Sequence, residues 1–246
     1  MSDMEKHDEQ ALHGSHRFFE RFQAYLGEFV YGGIDGSVTT FAVVAGSVGA
    51  GLDSVIIIIL GFANLLADGF SMSVGAYLST KSERDNYHKH KKIEYWEVDH
   101  MPEMEREEVR EIYRQKGFEG KLLEQVVEVI TADKDRWVDV MMKDELGMIK
   151  EEKSPFAIGA VTFSAFVLVG LVPLFVYVWD YLLGFNADPF LWSSILTALA
   201  FVIIGFLKSY VTETSHFKGI METLILGVIA AAVSYLVGDV LEHMLL

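Results

Sequence analysis

The chain has no cysteine, only 4 prolines, and no lysine or arginine in several segments where a soluble protein would carry them. The missing thiols exclude a disulfide framework, thiolate metal sites and cysteine-based catalysis. So few prolines, with 21 glycines in 246 residues, exclude disordered and collagen-like chains. Positive charge is also scarce: 20 Lys and Arg stand against 35 Asp and Glu, a net charge of -15. Yet 51% of the residues are hydrophobic and the mean hydropathy is +0.28. A chain this apolar and this acidic must keep the two properties apart along its length.

A hydropathy window of about 19 residues finds candidate spans near 31–52, 55–79, 156–179, 190–211 and 219–241. A charged block, 80–153, separates the second from the third. Segments such as "SVIIIILGFANLLA" and "LILGVIAAAVSYLVG" lack the polar stripe that a helix of a soluble all-α protein needs. The fold class expected is an all-α membrane protein with five transmembrane helices and a cytoplasmic helical metal-binding domain inserted between helices 2 and 3. Its parts are an N-terminal cytoplasmic segment (1–27), helices 1 and 2 (28–79), the inserted domain (80–153) and helices 3 to 5 (154–246). No signal-peptide pattern precedes the first span. All 20 Lys and Arg fall in the N-terminal segment (Lys6, Arg17, Arg21), in the block from Lys81 to Lys153, or at Lys208 and Lys218. "WDYLLGFNADPF" and "LEHMLL" have none. Basic residues are retained on the cytoplasmic side, so the N-terminus and the block are expected inside and the C-terminus outside.

The block reads as helices. "SERDNYHKHKKIEYWEV" has no breaker and is expected to continue span two out of the membrane. "PEMEREEVREIYRQ" opens on Pro102 with an acidic first turn and stops near Gly117. In "GKLLEQVVEVITA" the expected buried stripe is Leu122, Val126, Val129 and Ile130; in "DRWVDVMMKDELG" it is Trp137, Met141 and Val140.

Acidic residues in the block are grouped. Glu94 and Glu97 are three apart, as are Glu105 and Glu108, and Met141 lies four before Glu145; such spacings put each pair on one helix face. Two carboxylate pairs facing each other repel unless a cation sits between them, and oxygen ligands suit divalent ions such as Fe(II) or Mn(II). A thioether would add a soft ligand that Mg or Ca does not seek. Glu103, Glu107, Glu111 and Glu119 read as a solvated face. His88 and His90 diverge on a helix among lysines and read as a surface facing solvent or lipid headgroups.

The membrane carboxylates form a second group. An ionisable residue within a span needs a partner, water or a substrate path. Span two carries Asn64, Asp68 and Met72 at four-residue intervals, and span one carries Asp35 with Thr39 one turn on. Glu28 lies near the cytoplasmic entrance. Asp68 could also serve as an interhelical hydrogen-bonding group or cap. The ridge Ala42, Gly46 and Ala50 and the glycines at 32, 33 and 36 are expected to admit a close partner helix.

The motifs "DGSVTTFAVVAG" and "GFANLLADGFSMSVGAYLS", then the acidic insertion and "SPFAIGAVTFSAFVLVGLVPL", resemble the vacuolar iron transporter family of plants, yeast and prokaryotes. The resemblance covers residues 28–246. It implies five transmembrane helices, a homodimer with the path between the two first helices, and movement of Fe(II), and often Mn(II), out of the cytoplasm in exchange for protons. By motif, Asp35 and Met72 resemble the pore ligands and Glu28 an entrance acid. Glu94, Glu97, Glu105, Glu108, Met141 and Glu145 match the family's cytoplasmic metal set. Asp68 stands where the plant pattern has a small residue, and Ala76 where it has an acidic one.

The expected function is therefore secondary transport of divalent transition metals by proton antiport, not enzyme catalysis. No prosthetic group is expected; Fe(II), Mn(II) or similar ions are substrate and are also bound in the inserted domain. The expected partners are a second copy through helix 1, the lipid bilayer, metal ions and protons, with no nucleic acid. The expected location is the cell (inner) membrane of a prokaryote or the vacuolar membrane of a eukaryote. Glu97 and His100 at Glu-x-x-His spacing leave a membrane-anchored di-iron ferroxidase as the alternative, and a metal-sensing receptor as a third reading.

Overall fold

A computed structural model describes residues 24–184 and 187–245. It is 87% helix and has no strand among the described residues. The helices are α1 (Leu26–Gly49), α2 (Ser54–His100), α3 (Pro102–Gln115), α4 (Gly120–Thr131), α5 (Lys134–Val140), α6 (Pro155–Leu183), α7 (Pro189–Val211) and α8 (His216–Leu245), with a π-helical turn, Met141–Glu145, after α5. Most of the expected N-terminal segment, with Lys6, Arg17 and Arg21, lies outside the described residues.

The chain divides into two compact units: the residues up to Tyr77 with those from Phe156 onward, and Leu78–Pro155. Helices α1, α2, α6, α7 and α8 are each long and apolar enough to cross a membrane. Exposed Ile59, Phe70, Leu199 and Val228 turn hydrocarbon outward, as lipid-facing helices do. One bound differs from the sequence expectation. α1 begins at Leu26, which places Glu28 in its first turn. The expected continuation of span two is present: α2 runs unbroken for 47 residues, where about 20 suffice to span, so its later half belongs to the second unit.

In the first unit α1 is packed from several sides. A side chain at Gly32 or Gly36 would overlap the backbone of α6 at Thr162 and Phe166, and one at Gly33 would strike Val169 and Ile204. Gly46 and Gly238 let α1 and α8 touch backbone to backbone, and Ser234 Oγ donates to the Ala42 carbonyl at 2.6 Å. The small residues of α1 thus admit α6, α7 and α8 of the same chain, where the sequence had suggested a partner helix. Small residues do this because in lipid the drive for association is close van der Waals packing. α2 leans on the same face of α6: Gly69 packs on Phe166 and Phe163, and Ser73 Oγ donates to the Gly159 carbonyl at 2.8 Å. The Asp188 side chain caps α7, accepting from the Phe190 N–H at 2.9 Å, with Pro189 opening the helix.

The second unit folds α3, α4, α5 and the π turn around the distal part of α2. Its core holds Val98, Val109, Leu123, Val127, Ile130, Trp137, Val138, Met141 and Met142. The α4 stripe is therefore Leu123, Val127 and Ile130; Leu122 and Val129 are exposed and Val126 is only partly buried. Apolar residues stand at 122–123, 126–127 and 129–130, so two adjacent rows compete, and periodicity alone cannot say which one faces the core. Between α2 and α5, Lys91 pairs with Asp139 at 2.7 Å, the Tyr95 hydroxyl donates to Asp135 at 2.7 Å, and Lys134 pairs with Asp99 at 2.5 Å. Each exposed pair contributes little alone, but successive turns of α2 are engaged by all three.

Candidate functional site

Met101 and Pro102 form the corner between α2 and α3, and the corner folds two glutamate pairs toward each other. Glu94 and Glu105 are each only 3% exposed. One oxygen of each, Oε2, is buried with no hydrogen-bond partner, a condition that costs about 1–3 kcal/mol or more for a polar group. Glu94, Glu97 and Glu105 can each present an oxygen within 4.8 Å of the others, close enough to share one ion. Glu108 and Glu145 lie within electrostatic range of this group.

The carboxylates perturb one another as a set. Burial pushes Glu94 up from 4.5 to about 7, helped by the charges of Glu145, Glu97 and Glu108. Burial does the same to Glu105, raised to about 7, with Glu108, Glu94, Glu97 and Glu145 adding to it. Glu145 is raised by burial and by Glu108 and Glu97. No cation contributes to any of these shifts, which is the environment that a divalent ion would relieve.

Two consequences follow for pH. A carboxyl raised in the folded state holds a proton that the unfolded chain has already released, so the metal-free fold loses stability as pH rises from about 4.5 toward 7. Metal must displace those protons to bind. Calorimetry on the full-length protein should show affinity for Mn(II) rising between pH 6 and pH 8, with proton release at the lower pH, and bound metal should remove the alkaline loss of thermal stability. An affinity independent of pH across that interval would separate the glutamates from the binding.

Of the nominated residues, Met141 is fully buried and belongs to the core cluster of the unit, one turn before Glu145. The π turn that joins them had no signal in the sequence. Glu103, Glu107, Glu111 and Glu119 are exposed, and Glu107 and Glu111 are paired with Arg110 and Arg114. His88 is exposed and set edge-on to Tyr87. His100 stacks on Trp96 at 4.5 Å, its Nδ1 is 2.8 Å from the Trp96 carbonyl oxygen, and it is not in the group that holds Glu97. The Glu-x-x-His spacing therefore does not become a shared site here.

Within the membrane-spanning unit, the less closely packed face of α1 carries exposed Tyr31 and the partly buried Glu28, Asp35, Val38 and Thr39, with one Glu28 carboxylate oxygen buried. Thr39 Oγ1 donates to the Asp35 carbonyl at 2.8 Å, so its hydroxyl is satisfied within the helix. On α2, Asn64 and Met72 are partly buried and Asp68 between them is exposed. The Asn64 Nδ2 atom is buried without a partner. Gly36 and Gly69 both pack on Phe166, and Gly170 touches both Gly36 and Leu65. Asp35 and Asp68, each one residue before such a glycine, therefore stand at the same height on α6, and their charges are within range of each other. The sequence showed one stripe on each helix but not their relative height; the paired glycines were the available signal.

Comparison with known proteins gives a consistent result. The model of the VIT family matches residues 26–239. A vacuolar iron transporter of Toxoplasma gondii is 36% identical over 225 residues, covering 89% of this chain and 74% of the relative. Vacuolar iron transporter 1 of Eucalyptus grandis is 36% identical over 209 residues, 85% of this chain and 83% of the relative. Vacuolar iron transporter 1 of Arabidopsis thaliana is 34% identical over 217 residues, 88% and 86% of the two chains.

Proposed function

Because the chain belongs to the VIT family, we propose that it transports divalent transition-metal ions across a membrane, Fe(II) first and Mn(II) with it, out of the cytoplasm and in exchange for protons. The observation that carries this is Asp35, a partly buried carboxylate within a spanning helix. A charge at that depth costs about 3 kcal/mol even on the lower scales, and an ion that needs anionic oxygen in place of its hydration shell offsets the cost.

Asp35 and Met72 act as the ion ligands in the membrane, Glu28 as the entrance acid, and Asn64 and Asp68 line the path. Glu94, Glu97, Glu105, Glu108 and Glu145, with Met141 as the soft ligand, gather metal on the cytoplasmic side. The N-terminus and the second unit lie in the cytoplasm, as the placement of Lys and Arg indicates. A second copy meets the less closely packed face of α1, and the two Asp35 carboxylates together neutralise one divalent ion. The names of the relatives favour a vacuolar membrane in a eukaryotic cell; in a prokaryote the same chemistry serves the cell membrane. Proton exchange assigns to Asp35 a cycle in which it is protonated on one side and metal-bound on the other.

The reading separates from a membrane-anchored ferroxidase in one experiment. Full-length protein in proteoliposomes, given Fe(II) in an oxygen electrode, should consume oxygen no faster than protein-free vesicles. Rapid, protein-dependent oxygen consumption at the rate of Fe(II) loss would replace transport by oxidation.

A further inference from the structure

Resting on the reading that Asp35 binds the ion in the membrane, we propose that Asp68 is the second carboxylate of that site in each protomer. Its role is to set the hard end of the ion range, favouring Mn(II) and Fe(II) over Zn(II).

The first support is height. Gly36 of α1 and Gly69 of α2 close on the same residue of α6, Phe166, and Gly170 one turn along touches Gly36 and Leu65. These contacts hold the two helices in register, so the preceding residues, Asp35 and Asp68, share one level of the unit. Neither is enclosed: Asp68 is exposed and Asp35 is partly buried.

The second support is what Asp68 does not do. It lies well inside α2, so it caps nothing. Among the described residues its carboxylate receives no hydrogen bond and joins no ion pair. The structural role that an intramembrane Asp most often fills, bonding to a neighbouring helix, is not filled within the chain. Asp68 has its electrostatic neighbour in Asp35, a like charge, and an anion beside an anion at membrane depth calls for a cation.

The third support is the order of chemistry along α2. Asn64, Asp68 and Met72 succeed one another at one-turn intervals, offering an amide whose Nδ2 has no partner, a carboxylate, and a thioether. Carboxylate oxygen suits Mn(II), whereas thioether sulfur suits softer ions. The hard and soft contributions therefore come from different residues and can be altered independently. Asp68 thus adds hard oxygen beside each Asp35 of the pair, and the thioether of Met72 lies one turn away.

The test measures Mn(II) and Zn(II) uptake, singly and in competition, by full-length protein in proteoliposomes. Asp68→Asn should reduce Mn(II) uptake about tenfold more than Zn(II) uptake, the low end of what loss of a partner around a metal costs. Asp68→Glu should restore the ratio, and Met72→Leu should move it the other way. Asp68→Ser, a second uncharged variant of an exposed position, repeats the measurement should the first fail to reconstitute. An unchanged Mn(II) to Zn(II) ratio, or equal loss of both ions, would overturn the proposal while leaving Asp35 untouched. Failure of the underlying reading looks different: Asp35→Asn would then carry metal at the full rate.

Discussion

Asp35→Asn is expected to reduce Fe(II) uptake to the level of protein-free vesicles. The substitution keeps the shape and removes the charge, so packing of α1 through Gly32, Gly33 and Gly36 on α6 and α7 is not disturbed. Those contacts are made at buried glycines, and Asp35 is only partly buried. What changes is the ability to replace the hydration shell of a divalent ion with anionic oxygen in a low-dielectric setting, where no other group of α1 at that level can substitute. Gel filtration should show the same oligomer as the unaltered protein, and metal should still bind to the glutamate cluster of the second unit. Met72→Leu should slow Fe(II) without abolishing it, since a thioether tunes preference and carries no charge. Full transport by Asp35→Asn would remove this carboxylate from the path.

The second large effect concerns the glutamates. Replacing Glu105 and Glu108 together by alanine should weaken Mn(II) binding by about 100-fold or more, beyond what loss of an outer partner costs, whereas replacing Glu111 and Glu119 should leave it near the starting value. Position in the fold decides this. Glu105 is 3% exposed with an oxygen that has no partner, while Glu111 is exposed and paired with Arg114. The first double variant should also melt higher than the unaltered protein when both are metal-free near pH 8. For a carboxyl raised to about 7 the penalty builds from about pH 4.5 and is complete above pH 7, and alanine removes it. Comparable loss of binding in the two double variants would return all of these glutamates to ordinary surface charge.

Much of the architecture is legible in the residues because lipid imposes a simple rule: long apolar runs must close their own backbone hydrogen bonds as helices. The continuation of α2 to His100 was legible for a related reason, since no glycine or proline interrupts 76–99. The grouped glutamates were legible as helix spacings. Three features were not. Leu122 and Leu123 compete for the core with equal hydrophobicity, and only the packing of α4 on Val109 and Trp137 selects the second. The glycines of α1 announce close contact but cannot name the helices that make it; in this chain they are α6, α7 and α8. The shared height of Asp35 and Asp68 depends on Phe166, more than 90 residues away in sequence from either, a separation that single-helix periodicity cannot bridge.

The most direct measurement is Fe(II) entry into proteoliposomes that contain the unaltered protein and a trapped, iron-responsive dye, recorded with and without a pH gradient. The account predicts protein-dependent entry that accelerates when the interior is the more acidic side, with protons leaving as iron arrives. Entry no faster than in protein-free vesicles under either condition would contradict it.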